Sequence, residues 1–353
     1  MRIVQFFIPE QGRRVGIIQD NTVIDLTAAN SELTRTYDLF QAAQKKQTSL
    51  NQLLTELSTV SNSKLYSYED MLQTNPGGTH PWLLPPIDHP DPHCLFVTGT
   101  GLTHTGSMQS RDQMHSQASD QIETQQAETQ QTDSARMFAM GVKGGKPSPG
   151  ERGVSPEWFY KGNGTTLRGY RDPLEIPDFA LDGGEEPELA GCYIIDDNGV
   201  PRRLGFVLGN EWSDHETENI NYLYLAPSKL RTCAIGPELN TDFVFSDLTI
   251  RCSVQREGQT IYESGDLKTG EQFMCHSLGN CEDHHFKYPQ HRQAGDVHLH
   301  FLGTSKLSHG TRDWKYQTGD EIKIEAPGFS SPLINTVRKN KNPIQEPVVI
   351  RPA

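Results

Sequence analysis

The strongest constraint on this chain is a strand-forming run with two carboxylates at its mouth. Residues 182–191 read Asp-Gly-Gly-Glu-Glu-Pro-Glu-Leu-Ala-Gly, and the apolar run Cys192 to Ile195 follows, closing on Asp196-Asp197-Asn198-Gly199. The Asn-Gly signal predicts that Glu186 to Ile195 is a strand entering a hairpin. Strand side chains alternate, so Glu186 and Glu188 share one face. Two carboxylates that close repel each other and need a cation, a shared proton or open water. A solvated sheet face would supply the water. The company these residues keep elsewhere in the chain argues for a cation.

A chain of 353 residues suggests two domains. Arg2 to Ile8, Val15 to Ile18 and Val23 to Leu26 read as strands. Thr36 to Leu57 has helical spacing, with Leu39, Ala42, Ala43, Leu50, Leu53 and Leu54 on one side. This makes a small N-terminal α/β domain over 1–82, ending in the Pro/Gly-rich linker from Asn75 to Pro92. The second domain is expected over 83–353. From about Trp158 to Val349, short apolar runs alternate with Asn-Gly, Gly-Asp and Pro-Gly pairs, which predicts a compact, mostly β domain. The expected fold class is therefore α+β. Ser107 to Ser134 is rich in Gln, Ser and Thr and reads as a solvated helix or as part of a lid spanning 103–150.

Net charge is −13 and no basic stripe appears, which speaks against a nucleic-acid partner. No apolar run is long enough to cross a bilayer, and the N-terminal stretch lacks a signal-peptide layout. Six scattered cysteines read as reduced thiols. A cytoplasmic enzyme working as a homo-oligomer on a small molecule is the expectation.

Polar residues gather inside apolar context in four segments. In Pro156 to Gly162, Glu157 and Lys161 bracket an aromatic run. The second segment is the Glu186/Glu188 pair. In Leu204 to Ser213 an apolar strand delivers Asn210 and Glu211 at its end. The fourth, Ala226 to Leu230, carries Lys229 and leads to Cys233-Ala234-Ile235-Gly236-Pro237. Three carboxylates with little nitrogen or sulfur suit a hard divalent ion: Mg²⁺ or Mn²⁺ best, with Ca²⁺ also admissible. Lys229 then suits an anion held at that metal. A rival lies in Cys275-His276, Cys281 and His284-His285, a zinc-like mixture of thiolate and imidazole whose spacing matches no zinc pattern.

These segments resemble, in order, the fumarylacetoacetate hydrolase superfamily. Pro85-Pro86-Ile87 with Gly101-Leu102 is similar to its entry, and Glu186-Pro187-Glu188-Leu189-Ala190 to its Glu-x-Glu-Leu-Ala metal motif. Gly205 to Ser213 is similar to its Asn-Asp-x-Ser strand, and Lys229 with Ile235-Gly236-Pro237 to its lysine segment. Gly295-Asp296, Gly303-Thr304, Gly319-Asp320 and Asn335-Thr336 resemble its C-terminal pattern. Residues 83 to 338 are covered. The resemblance implies a mixed β-roll catalytic domain with Mg²⁺ held by Glu186, Glu188 and Glu211. It also places Thr304 at the substrate carboxylate, with Asn210 and Arg111 as further substrate-binding candidates.

Two departures stand out. The third ligand is usually Asp in this family, and Glu211 adds about 1.5 Å of reach. Hydrolytic members activate water with a His and a Glu, and here Ser107 and Ser110 fall at those positions. His104 or His115 would have to substitute. The whole chain most resembles the GguC-like branch, through Gly99-Thr100-Gly101-Leu102-Thr103-His104-Thr105-Gly106-Ser107, Arg111-Asp112 and Trp158-Phe159-Tyr160-Lys161-Gly162. That branch sits with sugar-acid breakdown. Related members dehydrate 2-keto-3-deoxy-pentonates with a Glu at the position of Glu157. The resemblance thus implies a Mg²⁺-dependent dehydratase of a 2-keto-3-deoxy sugar acid. It would work through a metal-stabilised enolate and loss of the C4 hydroxyl, with Glu157, Lys229, Lys161 and His104 as catalytic candidates. The alternatives are a C–C bond hydrolase of a 2,4-diketo acid and a non-catalytic sugar-acid binding protein.

Overall fold

The computed structural model describes residues 1–60, 64–109, 132–340 and 347–353. The carboxylate-bearing strand spans Pro187–Ile195 and pairs antiparallel with Pro201–Asn210, as the turn between them requires. Among the described residues this hairpin lies in the middle of the larger of two sheets. Beyond Pro187–Ile195 come Val297–Phe301, Leu95–Gly101 and Glu157–Asn163. Beyond Pro201–Asn210 come Leu239–Asn240, Arg2–Ile8, Gly12–Gln19, Thr22–Asp25 and Lys64–Ser67. Along this path only Val297–Phe301 and Leu95–Gly101 run parallel. The second sheet orders Gln259–Glu263, Leu248–Arg256, Glu321–Glu325, Leu333–Lys339 and Pro173–Ile176. The chain is a mixed α/β protein dominated by its sheets.

Alternation along the hairpin gives each face its own core. Leu189, Leu208 and Phe206 share a buried cluster with Ile250, Val254, Ile322 and Ile324 of the second sheet. Ala190, Cys192, Ile194 and Val207 share another with Leu39, Phe40, Leu53 and Leu54 of the N-terminal helices. A strand buried on both faces has no solvated side on which to leave a carboxylate. The placement of Glu186 and Glu188 at its mouth is therefore a chemical commitment.

Two local expectations are corrected. The helical stretch from Thr36 to Leu57 is two helices, Thr36–Lys46 and Leu50–Ser58. Gln47 ends the first in a left-handed conformation with φ 55°. Ser49 starts the second by accepting the Gln52 amide, a capping signal that apolar spacing alone does not register. The Pro/Gly-rich stretch from Asn75 to Pro92 contains a strand, Trp82–Leu84, that pairs with Arg2–Ile8. The N-terminal strands also join the main sheet directly, through Arg2 opposite Asn240 and Ile3 opposite Leu239.

Gly209 lies opposite Glu188 in the hairpin, and a β-carbon there would come within 2.5 Å of the buried Phe301 ring. Gly209→Ala should lower the unfolding free energy by about 1–3 kcal/mol, the usual cost of overpacking. A urea titration reads this directly, and an unchanged midpoint would mean that the Phe301 ring moves aside freely.

Candidate active site

The hairpin register assembles the carboxylates. Glu188 is opposite Gly209, and the Glu211 N–H donates to the Glu186 carbonyl at 3.1 Å just past the last ladder pair. Asn210 Oδ1 accepts the Glu186 N–H at 3.1 Å and fixes the strand mouth. As a result, carboxylate oxygens of Glu186, Glu188 and Glu211 lie within 4.8 Å of one another, all buried. Among the described residues no other group of His, Cys, Asp and Glu converges in this way. An all-oxygen, all-carboxylate donor set fits a hard divalent cation such as Mg²⁺.

Two lysines come to the same place. The Lys229 ammonium donates to Glu186 Oε1 and, at 2.5 Å, to Glu211 Oε2. Lys161 reaches Glu211 Oε1 at 2.7 Å and donates to the backbone carbonyls of Trp212 and Lys229. Burial alone would push the Glu186 carboxyl up, but the Lys229 ammonium and the His215 ring hold it well below the usual carboxylate range. Burial would likewise lower Lys229, and Glu186 and Glu211 keep it firmly protonated. Among the described residues Glu188 makes no ion pair, and Lys229 acts on it only from a distance. Burial, together with the charges of Glu186 and Glu211, pushes its carboxyl well up. Its Oε2 accepts the Gly303 N–H at 2.7 Å. This shortfall of positive charge beside Glu188 is the observation that fits a divalent cation to the triad.

The edge strand Glu157–Asn163 alternates cleanly: Glu157, Phe159 and Lys161 face inward, and Trp158 and Tyr160 face out. The Lys229 ammonium lies 4.8 Å from the Phe159 ring centroid. Glu157 is buried, and Tyr222 donates its hydroxyl to Glu157 Oε2 at 3.1 Å. Gly101 lies opposite Glu157, and a β-carbon there would come within 1.9 Å of Glu157 Oε1. A glycine at this position is what admits the carboxylate. Gly101, Leu102, Phe159, Gly303, Thr304 and Leu307 wall the cavity above the carboxylates.

The remaining sequence candidates fall in different places. Thr304 lines the cavity, its hydroxyl donating to the Lys306 carbonyl at 3.0 Å. Asn210 is buried behind the triad and serves the Glu186 amide. His104 is buried between Thr103 Oγ1, 2.8 Å away, and Thr269 Oγ1, 3.1 Å away. It is not among the residues that wall the cavity. Ser107 does line it and donates to the His104 carbonyl at 2.9 Å. Ser110, Arg111 and His115 lie outside the described residues, as does residue range 110–131 of the expected lid; the helix Asp133–Gly144 follows it.

His215 and Glu218, missed in the sequence, also wall the cavity. His215 Nε2 is 3.0 Å from Glu186 Oε1. The signal was available. Asp214 caps the helix His215–Ile220 directly after the Glu211 strand end, which puts His215 in the first turn and Glu218 three residues on, along one side.

The zinc-like segment disperses. His284 lies 3.0 Å from the Gly153 carbonyl, and His285 Nε2 is 3.0 Å from His298 Nδ1. Burial pushes both thiols up, Cys275 to about 11, so neither is a ready thiolate ligand.

No protein-family model matches the sequence. A probable 2-keto-3-deoxyxylonate dehydratase of Haloferax volcanii is 25% identical over 338 residues, covering 92% of this chain and 95% of that protein. The solved structure of 2-keto-3-deoxy-D-arabinonate dehydratase complexed with magnesium and 2,5-dioxopentanoate is similar with a TM-score of 0.67 and 18% identity. That likeness covers 97% of this chain and 100% of the other. A 5-carboxymethyl-2-hydroxymuconate delta-isomerase from Mycobacterium smegmatis is similar with a TM-score of 0.55 and 16% identity, over 97% and 100% of the two chains. At these identities the solved structures establish a shared fold.

Two outcomes are expected. Glu188→Gln should weaken Mg²⁺ binding at least about tenfold in a calorimetric titration, with the circular-dichroism spectrum unchanged. Undiminished Mg²⁺ affinity would place the ion elsewhere. The second concerns acid. Burial lowers His104 to about 4 and His298 and His300 to about 3. An unfolded histidine titrates near about 6.5, so the folded chain binds fewer protons below that value. Their contribution to stability is complete above about pH 6.5 and is lost as the pH falls toward 3. Denaturation midpoints should fall across that window, and a midpoint constant from pH 6.5 to 4 would mean that these rings are solvated.

Proposed function

We propose that this chain, a member of the fumarylacetoacetate hydrolase superfamily on its sugar-acid dehydratase branch, is a Mg²⁺-dependent dehydratase of a 2-keto-3-deoxy pentonate. The observation that carries the reading is the inward face of Glu157–Asn163. It carries a buried carboxylate, Glu157, on the same inward face as Lys161, which is paired with Glu211 of the carboxylate cluster. Ser107 lines the cavity at the position where hydrolytic members carry histidine. An elimination needs the carboxyl and has no use for an activated water.

When held by Glu186, Glu188 and Glu211, Mg²⁺ supplies Lewis-acid polarisation of a 2-keto acid, which acidifies its C3 protons. Lys229 presents its ammonium to the developing enolate oxygen, at a site closed to water. Glu157 takes the C3 proton and returns a proton to the departing C4 hydroxyl, with Tyr222 orienting its carboxyl. The C3–H and C4–O bonds break, a C3–C4 double bond forms, and water leaves. Tautomerisation then carries the C5 hydroxyl carbon to an aldehyde, giving 2,5-dioxopentanoate. Thr304 holds the substrate carboxylate. Lys161 holds Glu211 in place through their buried ion pair. The similar arabinonate dehydratase is described with magnesium and that same dioxo acid.

In this reading residues 1–82 form a small N-terminal α/β domain and 83–353 a mixed β-roll catalytic domain. The protein acts in the cytoplasm as a homo-oligomer. Among the described residues no helix is long and apolar enough to cross a membrane.

The test is product analysis. With Mg²⁺ and a panel of 2-keto-3-deoxy acids, mass spectrometry should find one product with all the substrate's carbons and one water fewer. Glu157→Gln should lower kcat at least about 10²-fold with KM little changed. Two carbon fragments released from a 2,4-diketo acid would replace this reading with the hydrolase.

A further inference from the structure

We propose that Glu185 is a positioning residue that sets the loop 303–308 against the carboxylate triad. This rests on the dehydratase reading for what the loop holds, a 2-oxo acid's carboxylate at Thr304.

Glu185 precedes the first metal-ligand candidate and points away from it, as neighbours in an extended segment do. It is 1% exposed. Its Oε1 accepts the Ser308 N–H at 2.6 Å, and its Oε2 accepts the Ser308 hydroxyl at 2.7 Å and the Tyr316 hydroxyl at 2.6 Å. Ser308 and Tyr316 are themselves fully buried. A carboxylate out of water is costly, and three charge-assisted bonds to one group are what makes it tenable. At the other end of the loop, the Gly303 N–H donates to Glu188 Oε2 at 2.7 Å. The loop is thus fastened at both ends by carboxylates of one four-residue segment, Glu185 to Glu188.

Thr304 and Leu307 lie between the two fastenings and wall the cavity. Because Glu186 and Glu188 belong to the same segment, the spacing from the triad to Thr304 is set within a few residues of backbone. Packing elsewhere in the sheets has little leverage on it. A misplacement of this kind, of about 1 Å, is enough to cost a bound group much of its productive geometry.

The probe is pyruvate, the smallest 2-oxo acid, titrated calorimetrically with saturating Mg²⁺ into the wild type and into Glu185→Gln, Ser308→Ala and Tyr316→Phe. Mg²⁺ alone is titrated into each as well. Ser308→Ala and Glu185→Gln should weaken pyruvate about tenfold, with the Mg²⁺ affinity held within about twofold. Tyr316→Phe keeps the Ser308 fastening and should stay near wild type. Equal losses for Ser308→Ala and Tyr316→Phe, or a parallel loss of Mg²⁺ affinity, would reduce Glu185 to structural support and overturn the proposal. Unchanged pyruvate binding in every variant, or none in the wild type, overturns it too. Should Glu185→Gln fail to fold, Ser308→Ala decides, since it removes a single bond. Pyruvate has no C4 hydroxyl, so failure of the dehydratase reading appears separately, as absence of turnover of 2-keto-3-deoxy acids by the wild type.

Discussion

The Lys229 ammonium, shared by Glu186 and Glu211 where water does not reach, is the interaction on which the site depends. Removing one partner from a buried ion pair costs about 3–5 kcal/mol, because the other is left charged and dry. Here one cation serves two carboxylates, and Lys161 braces the second of them from the other side. Lys161 also takes the carbonyls of Trp212 and Lys229, so a side chain from the edge strand ties the end of one hairpin strand to the short helix Leu225–Lys229. Three separate stretches of chain are held in one geometry by charge. The surrounding sheets supply the low dielectric that makes the charges count.

That arrangement leaves Glu188 as the odd member. It is buried with the others, yet its direct support is one backbone N–H from Gly303, and burial with two negative neighbours outweighs the pull of Lys229. A divalent cation completes the charge balance that two lysines leave open. The same backbone contact makes Glu188 the hinge between the triad and the loop bearing Thr304. The triad and that loop are thus linked through one carboxylate.

Much of this was legible in the residues. Glu-Pro-Glu before an apolar run and an Asn-Gly turn predicted a hairpin with both carboxylates on one face, and the register delivers that. Asn210-Glu211 at the end of the facing strand completes the group across the hairpin. The alternation in Glu157-Trp158-Phe159-Tyr160-Lys161 was also readable, since the aromatics that face out occupy the intervening positions. What escaped depends on contacts remote in sequence. His104 has the look of a site residue until Thr269, far along the chain, encloses it. Cys275 to His285 has ligand chemistry, but its helix sends the imidazoles to different partners, and only three dimensions show that. The break between Lys46 and Leu50 is a capping event, invisible to apolar periodicity.

The alternation of the central hairpin has one more consequence. Glu185 faces one side and Glu186 and Glu188 the other, while Leu189 and Ala190 feed two separate apolar cores. Sliding Pro187–Ile195 by a single residue against its partner would exchange the faces of all of them at once. Glu186 and Glu188 would face hydrocarbon, and aliphatic side chains would take their places beside Glu211 and the lysines. A one-residue slip would therefore strand several charges together. The buried carboxylates thereby add an electrostatic penalty to a one-residue slip of the central hairpin, over and above the misplaced apolar side chains.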